Sequence, residues 1–198
     1  MIRMLENYSI IMVKFEKLDT YRKMRLWMNE VPEESKFTTS DKILEYRGNK
    51  DIYWFNGILC LELRIAPRAA SNYAMLNLRF TQNQSSKFQV IYHESDMEEL
   101  VNSDIAMKND LVKTGIVKKY NSAFTQVFDE LDSKNIFPSG ILEILGGRYG
   151  SIGSSDIAVK IVLINLLKLF ELNEKIESSD VNFIILEGCK QQIYNNFC

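Results

Sequence analysis

A chain of 198 residues suits one compact domain with an appendage, or two small domains. At 46% hydrophobic residues it can build a core unaided, and a formal net charge of −2 excludes a strong overall field toward nucleic acid or acidic lipid, so any such binding must use a local patch. Three cysteines without CxxC spacing and a lone histidine, His93, exclude an ordinary zinc site and fit a reducing, cytoplasmic setting.

Arg3 and Glu6 interrupt the opening residues before any long apolar core, which predicts no signal peptide. Ser9 to Phe15 ("SIIMVKF") reads as a short strand. Leu18 to Val31 reads as a helix, with Tyr21, Met24, Trp27 or Met28, and Val31 at helical spacing. Pro32 and the polar residues after it break that pattern, placing a boundary before Ser40 and predicting a strand–helix extension over residues 1–40 and a domain over 41–198. In "ILCLELRI" (Ile58 to Ile65) the leucines alternate with Cys60, Glu62 and Arg64, the mark of a half-buried strand. "AMLNLRF" repeats the alternation, and "FQVIY" follows a polar turn, so these two predict a hairpin. His93, beside Glu94 at a strand end, reads as structural or solvated. Glu94 to Asp110 is acidic and reads as a solvated loop or irregular helix.

Tyr120, Ala123, Phe124, Val127, Phe128 and Leu131 form one apolar helical stripe. "ILEIL" (Ile141 to Leu145) predicts a short buried strand, and Asp156 to about Leu172 a helix apolar nearly all round, with Asp156, Lys160, Lys168 and Glu171 on its one wet stripe. Its apolar run from Ile161 to Leu169, broken by Asn165 and Lys168, is too short to span a bilayer. "VNFIIL" (Val181 to Leu186) suggests a final strand. The order of elements predicts an α+β fold, a mostly antiparallel four- to five-stranded sheet with two helices on one face.

No GxxxxGK[ST] and no GxGxxG occurs. The nearest phosphate-loop feature is Gly150–Ser151–Ile152–Gly153–Ser154–Ser155, a glycine–serine turn feeding a helix N-terminus, where free backbone N–H groups can hold an anion and where a serine can equally cap the helix. This loop resembles that of the GHMP small-molecule kinases. The other motifs of that family and its second domain are missing, and no lysine or acid stands in the loop for a γ-phosphate or Mg²⁺.

Four stretches in order resemble domain IV of elongation factor G and of the ribosomal-protection tetracycline-resistance proteins. "ILEYRG" (Ile43 to Gly48) is similar to V-x-Y-R-E, and "LRIAPRAASNYAMLNLRFTQ" (Leu63 to Gln82) to a strand, tip loop and strand. "TGIVKKYNSAFTQVFDEL" resembles G-G-x-I-P-K-E-Y-x-x-A through Gly115, Lys118, Tyr120 and Ala123. "ILEILGGRYGSIGSSDIAVKI" resembles D-G-x-Y-H-x-V-D-S-S-x-x-A-F-K-I through Gly147, Tyr149, Ser154, Ser155, Ala158, Lys160 and Ile161. The family's tip histidine is Gly150 here, its V-D is Ile152–Gly153, and its glycine-rich first tip loop is Ala69–Ala70–Ser71.

The resemblance implies the fold of that family, with its left-handed βαβ crossover, and a non-catalytic, stand-alone domain. It implies binding to the ribosome or another structured RNA through Arg68, Ser71, Asn72, Tyr73, Arg148, Tyr149, Ser151, Ser154 and Ser155, with no metal, cofactor or membrane. Two alternatives stand beside it. One is a protein-interaction module or homodimer on the same fold, using the acidic segment and the Trp27 helix; the other is a nucleotide-binding relative of the small-molecule kinases using Gly150 to Ser155.

Overall fold

The computed structural model describes residues 13–32, 41–65, 72–93, 98–115, 120–173 and 176–195. Period-two alternation builds most of it. In chain order come β1 (Val13–Lys17), β2 (Arg22–Met28), β3 (Asp41–Arg47), β4 (Gly57–Ile65), β5 (Asn72–Gln82), β6 (Lys87–His93), β7 (Leu100–Val101) and β8 (Val112–Thr114), followed by α1 (Asn121–Asp132), β9 (Gly140–Gly150), α2 (Asp156–Glu171) and α3 (Ser178–Asn195). The fold is α+β as expected, but the described residues form one nine-stranded sheet, ordered β1-β2-β4-β5-β9-β6-β3, with β8 on β9 and β7 on β8. Every pairing between these strands is antiparallel except β6 with β9, which run parallel and are joined through β7, β8 and α1.

All three helices cover one face. There Leu59, Leu61 and Leu63 of β4, Leu76, Leu78 and Phe80 of β5, and Leu142 and Ile144 of β9 share a single cluster with Phe124 and Phe128 of α1, Ile161 and Leu166 of α2, and Ile185 of α3. At one end Trp54 gathers Phe80, Phe88, Phe137 and Phe170 around its ring, with centroids 5.5 to 6.3 Å away. Offset and edge contacts of this kind add to what the buried area alone contributes.

Further expectations are corrected. The segment expected to be a helix from Leu18 to Val31 is largely strand β2, started by an Asx turn in which Asp19 accepts from the backbone of Tyr21 and Arg22. Its residues carry both periods, and pairing with β4 selects the alternating one, in which Met24 and Leu26 are fully buried. The run at Val181 to Leu186 is helical. Val181, Ile185 and Cys189 are buried one turn apart in α3, and a short apolar run does not by itself distinguish the two states.

The expected hairpin of the third and fourth predicted strands does not form, because β9 lies between β5 and β6. The short strand at Ile141 to Leu145 is instead eleven residues long and bulged, with Gly146 at φ 151° beside the register shift at Asn77 and Leu78. Of the acidic segment, residues 94–97 lie outside the described residues; the remainder is not simply solvated, since Ile105 is fully buried. The strand at Ser9 to Phe15 is seen only from Val13 onward. No described helix is long and apolar enough to cross a membrane.

Candidate functional site

At one end of the sheet the starts of β5 and of the turn after β9 meet, bringing together two of the stretches singled out in the sequence. The backbone N–H of Tyr73 donates to the Gly153 carbonyl at 2.8 Å, and the Ser154 hydroxyl donates to the Tyr73 carbonyl. Ser154 Oγ also accepts from the Gly150 N–H at 2.7 Å. Ser155 is the N-cap of α2, accepting from Ala158 N–H at 3.3 Å, and its hydroxyl donates to Asn72 Oδ1 at 3.3 Å. Ser151 N–H and hydroxyl both donate to the Leu111 carbonyl, at 3.0 and 3.1 Å. Arg68 and Ser71 lie outside the described residues.

Arg148 and Tyr149 stand within β9 rather than in an exposed loop, and as successive strand residues they face opposite sides of the sheet. Tyr149 lies on the helix face, with its ring edge-on to Tyr120 at 5.9 Å and its hydroxyl donating to Glu98. Burial and that carboxylate together push the phenol upward.

Arg148, only 9% exposed, turns to the other face and to Glu62, which is wholly buried. The strand register places Arg25, Glu62, Met75 and Arg148 in one row across β2, β4, β5 and β9. Glu62 Oε1 accepts from the Tyr73 and Ser103 hydroxyls, both at 2.7 Å, and lies 3.8 Å from Arg148 Nη1. Its Oε2 lies 3.6 Å from Arg25 Nη1. Arg25 in turn grips Asp104 through Nη2, 2.7 and 2.8 Å from the two carboxylate oxygens. Burial first and then Glu62 push the Tyr73 phenol upward, whereas Arg25 holds the Asp104 carboxyl below its usual range.

The segment carrying Ser103 and Asp104 covers this row, and a second small core of Tyr73, Ile105, Ala106 and Val112 seals it. The same segment supplies Asp110. Its carboxylate accepts from the backbone N–H groups of Ile152 and Gly153, both at 2.9 Å, and a Cβ at Gly150 would overlap it. The two donors that could hold a foreign anion in the glycine–serine turn are therefore bonded to an anion of the chain itself.

Three large apolar side chains are exposed at this end, beside the polar Lys108, Asn109 and Ser151. Ile152 is 79% exposed, Leu111 60% and Met107 44%, and they adjoin through the contacts of Ser151 with Leu111 and of Asp110 N–H with the Met107 carbonyl. Glu62, Arg25, Ser103, Asp104, Asp110 and Glu98 were not recognisable as partners from sequence. Alternation in β4 does put Glu62 on the face opposite the leucines, but nothing local announces that a distant acidic segment covers that face. Among the described residues no group of three or more His, Cys, Asp or Glu is placed to hold a metal ion. Against known proteins, the chain matches no family model, no curated protein and no solved structure.

Proposed function

We propose that this chain is a non-catalytic recognition module that binds a protein partner through the apolar tip formed by Met107, Leu111 and Ile152. One observation carries the reading: at the tip Asp110 and Arg148 bond inward, and three large apolar side chains stand exposed among the polar Lys108, Asn109 and Ser151. Clustered exposed apolar side chains of this kind suit protein contact. Arg148 and Tyr149, pointing to opposite faces, do not combine into a platform that pairs a phosphate contact with base stacking. Asp110 places negative charge where a phosphate would have to sit, which also speaks against the kinase-like alternative.

The rival reading, a stand-alone relative of translational-GTPase domain IV on the ribosome or a structured RNA, rests on the four ordered sequence stretches and on Arg68 and Ser71. One experiment separates the two. Immobilised protein is exposed to cell extract with and without nuclease, over a salt series, alongside a Leu111→Asp, Ile152→Asp variant. The proposal expects a stoichiometric protein partner that survives nuclease and roughly 0.5 M salt, where phosphate contacts are largely screened. The variant should lose that partner while keeping its melting temperature. Association that falls steeply with salt, is destroyed by nuclease and is lost on Arg68→Ala instead would replace this reading with the RNA one.

A further inference from the structure

The opposite end of β9, roughly 30–35 Å away by strand rise, carries a second feature. Here the chain leaves β3 at Arg47 and crosses the sheet end before β4 begins. It is pinned by Gly48 N–H to the Ser86 carbonyl at 3.0 Å, Asn49 N–H to the Phe137 carbonyl at 3.0 Å, and Ser139 N–H to the Asn49 carbonyl at 2.9 Å. Between this segment and the turn after α1 opens a cleft of about 500 Å³, lined among others by Arg47, Lys50, Ser86, Asn135 and Phe137. A groove of about 260 Å³, lined by Ile52, Tyr53, Trp54, Ile136 and Glu171, adjoins it, with Asn135 on the wall of both. Such dimensions are those of small-molecule sites.

Three features of the lining are unspent. Trp54 lies in the groove wall at 2% exposure, with its indole N–H shielded from solvent, so its ring offers an apolar surface there. Arg47 and Lys50 make no ion pair among the described residues. Tyr53 is 60% exposed beside the apolar floor of Ile52 and Ile136.

We infer that the joined cleft and groove form a binding site for a mononucleotide, a heteroaromatic ring bearing a phosphate and an exocyclic amine. The phosphate lies with Arg47 and Lys50, whose charge-assisted hydrogen bonds suit it. The ring lies in the groove against Tyr53, where a flat apolar face stacks without demanding one particular base. Glu171 on the rim accepts from the exocyclic amine, and the Trp54 ring lies in the wall beneath, where its indole resonance reports a bound ring. Asp51, the one acid among the cleft residues, lies on the phosphate side and limits how much negative charge the cleft holds. The mononucleotide can be free or a unit of a single strand; the recognition chemistry is the same.

The test follows the indole N–H resonance of Trp54 by NMR, identified by comparison with Trp27→Phe, during titration with adenosine monophosphate, adenosine, inorganic phosphate and penta-adenylate. Adenosine monophosphate should move the resonance saturably, with adenosine and phosphate each weaker by roughly tenfold or more. An Arg47→Ala, Lys50→Ala variant, changed at two exposed positions, should melt like the wild type and lose at least roughly tenfold in affinity. Ile152→Asp, at the far end, should bind normally. Tighter binding of the pentamer than of the monomer assigns the site to a strand, and the reverse assigns it to a free nucleotide. A Trp54 resonance unmoved by every probe at roughly 5 mM, or moved equally in the double variant, overturns the inference.

Discussion

Glu62 shows how a single residue can organise one face of a sheet. It sits in the middle of β4 with two arginines and two hydroxyls around it, and its burial is tolerable only because those partners are present. Removing one member of such a group leaves charge uncompensated in a low-dielectric setting. Glu62→Ala is therefore expected to destabilise the protein by about 3–5 kcal/mol in urea denaturation. Glu62→Gln, which keeps acceptors for Tyr73 and Ser103, should cost clearly less. If the two substitutions prove equally damaging, hydrogen-bond acceptance is not what stabilises this position.

At the level of elements, α2 and α3 show how helix contacts depend on small residues placed opposite large ones. Asn165 is fully buried in α2 with neither amide atom hydrogen-bonded, and a Cβ at Gly188 of α3 would overlap its Oδ1. Helix propensity alone favours alanine over glycine by about 1 kcal/mol. Gly188→Ala should nevertheless destabilise, by about 1–3 kcal/mol, because the two helices must separate or the amide must turn. In an Asn165→Ala background the sign should reverse and Gly188→Ala should stabilise. Thermal melts of the four proteins form a double-mutant cycle, and additive effects would show that the two positions are independent. Asn135 and Asn173, with φ of 51° and 57° just after α1 and α2, end those helices in the left-handed conformation that asparagine tolerates better than most residues.

Seen as a whole, the molecule buries both sides of its sheet at the centre, and its two described cysteines report on the two sides. Cys60 lies with Trp27 and Met75 on the face away from the helices, and Cys189 lies in the helix layer. Burial pushes each thiol up from 9.0 to about 12. Folded protein therefore retains protons that unfolded protein has lost between those values. The contribution to stability is whole below pH 9 and declines as pH rises toward about 12. Both thiols should resist a disulfide reagent at pH 8 and react only as fast as the whole chain unfolds. Labelling of either one well ahead of global unfolding, followed by mass spectrometry, would show that its layer opens independently.

The sequence by itself determined the α+β class, the strands at β4, β5 and β6 and the helices α1 and α2, because in those segments one periodicity dominates over a full element. It also offered a serine cap for the buried helix after the glycine–serine turn, a role for which Ser155 needs only its own chain neighbours. Tertiary structure decided the rest. Arg22–Met28 and Ser178–Asn195 carry patterns compatible with either state, and only their neighbours, β4 for one and α2 for the other, select between them. β9 enters between β5 and β6 because a parallel partner for β6 must come from far along the chain, which no local pattern encodes. The candidate site was likewise decided by tertiary structure. Asn72, Tyr73, Ser154 and Ser155 were grouped only through a family resemblance, and neither the inward turn of Arg148 nor the capture of the turn by Asp110 was legible at all. Those contacts span 86 and some 40 residues of chain, and a charge that far away becomes a partner only once the fold has brought it there.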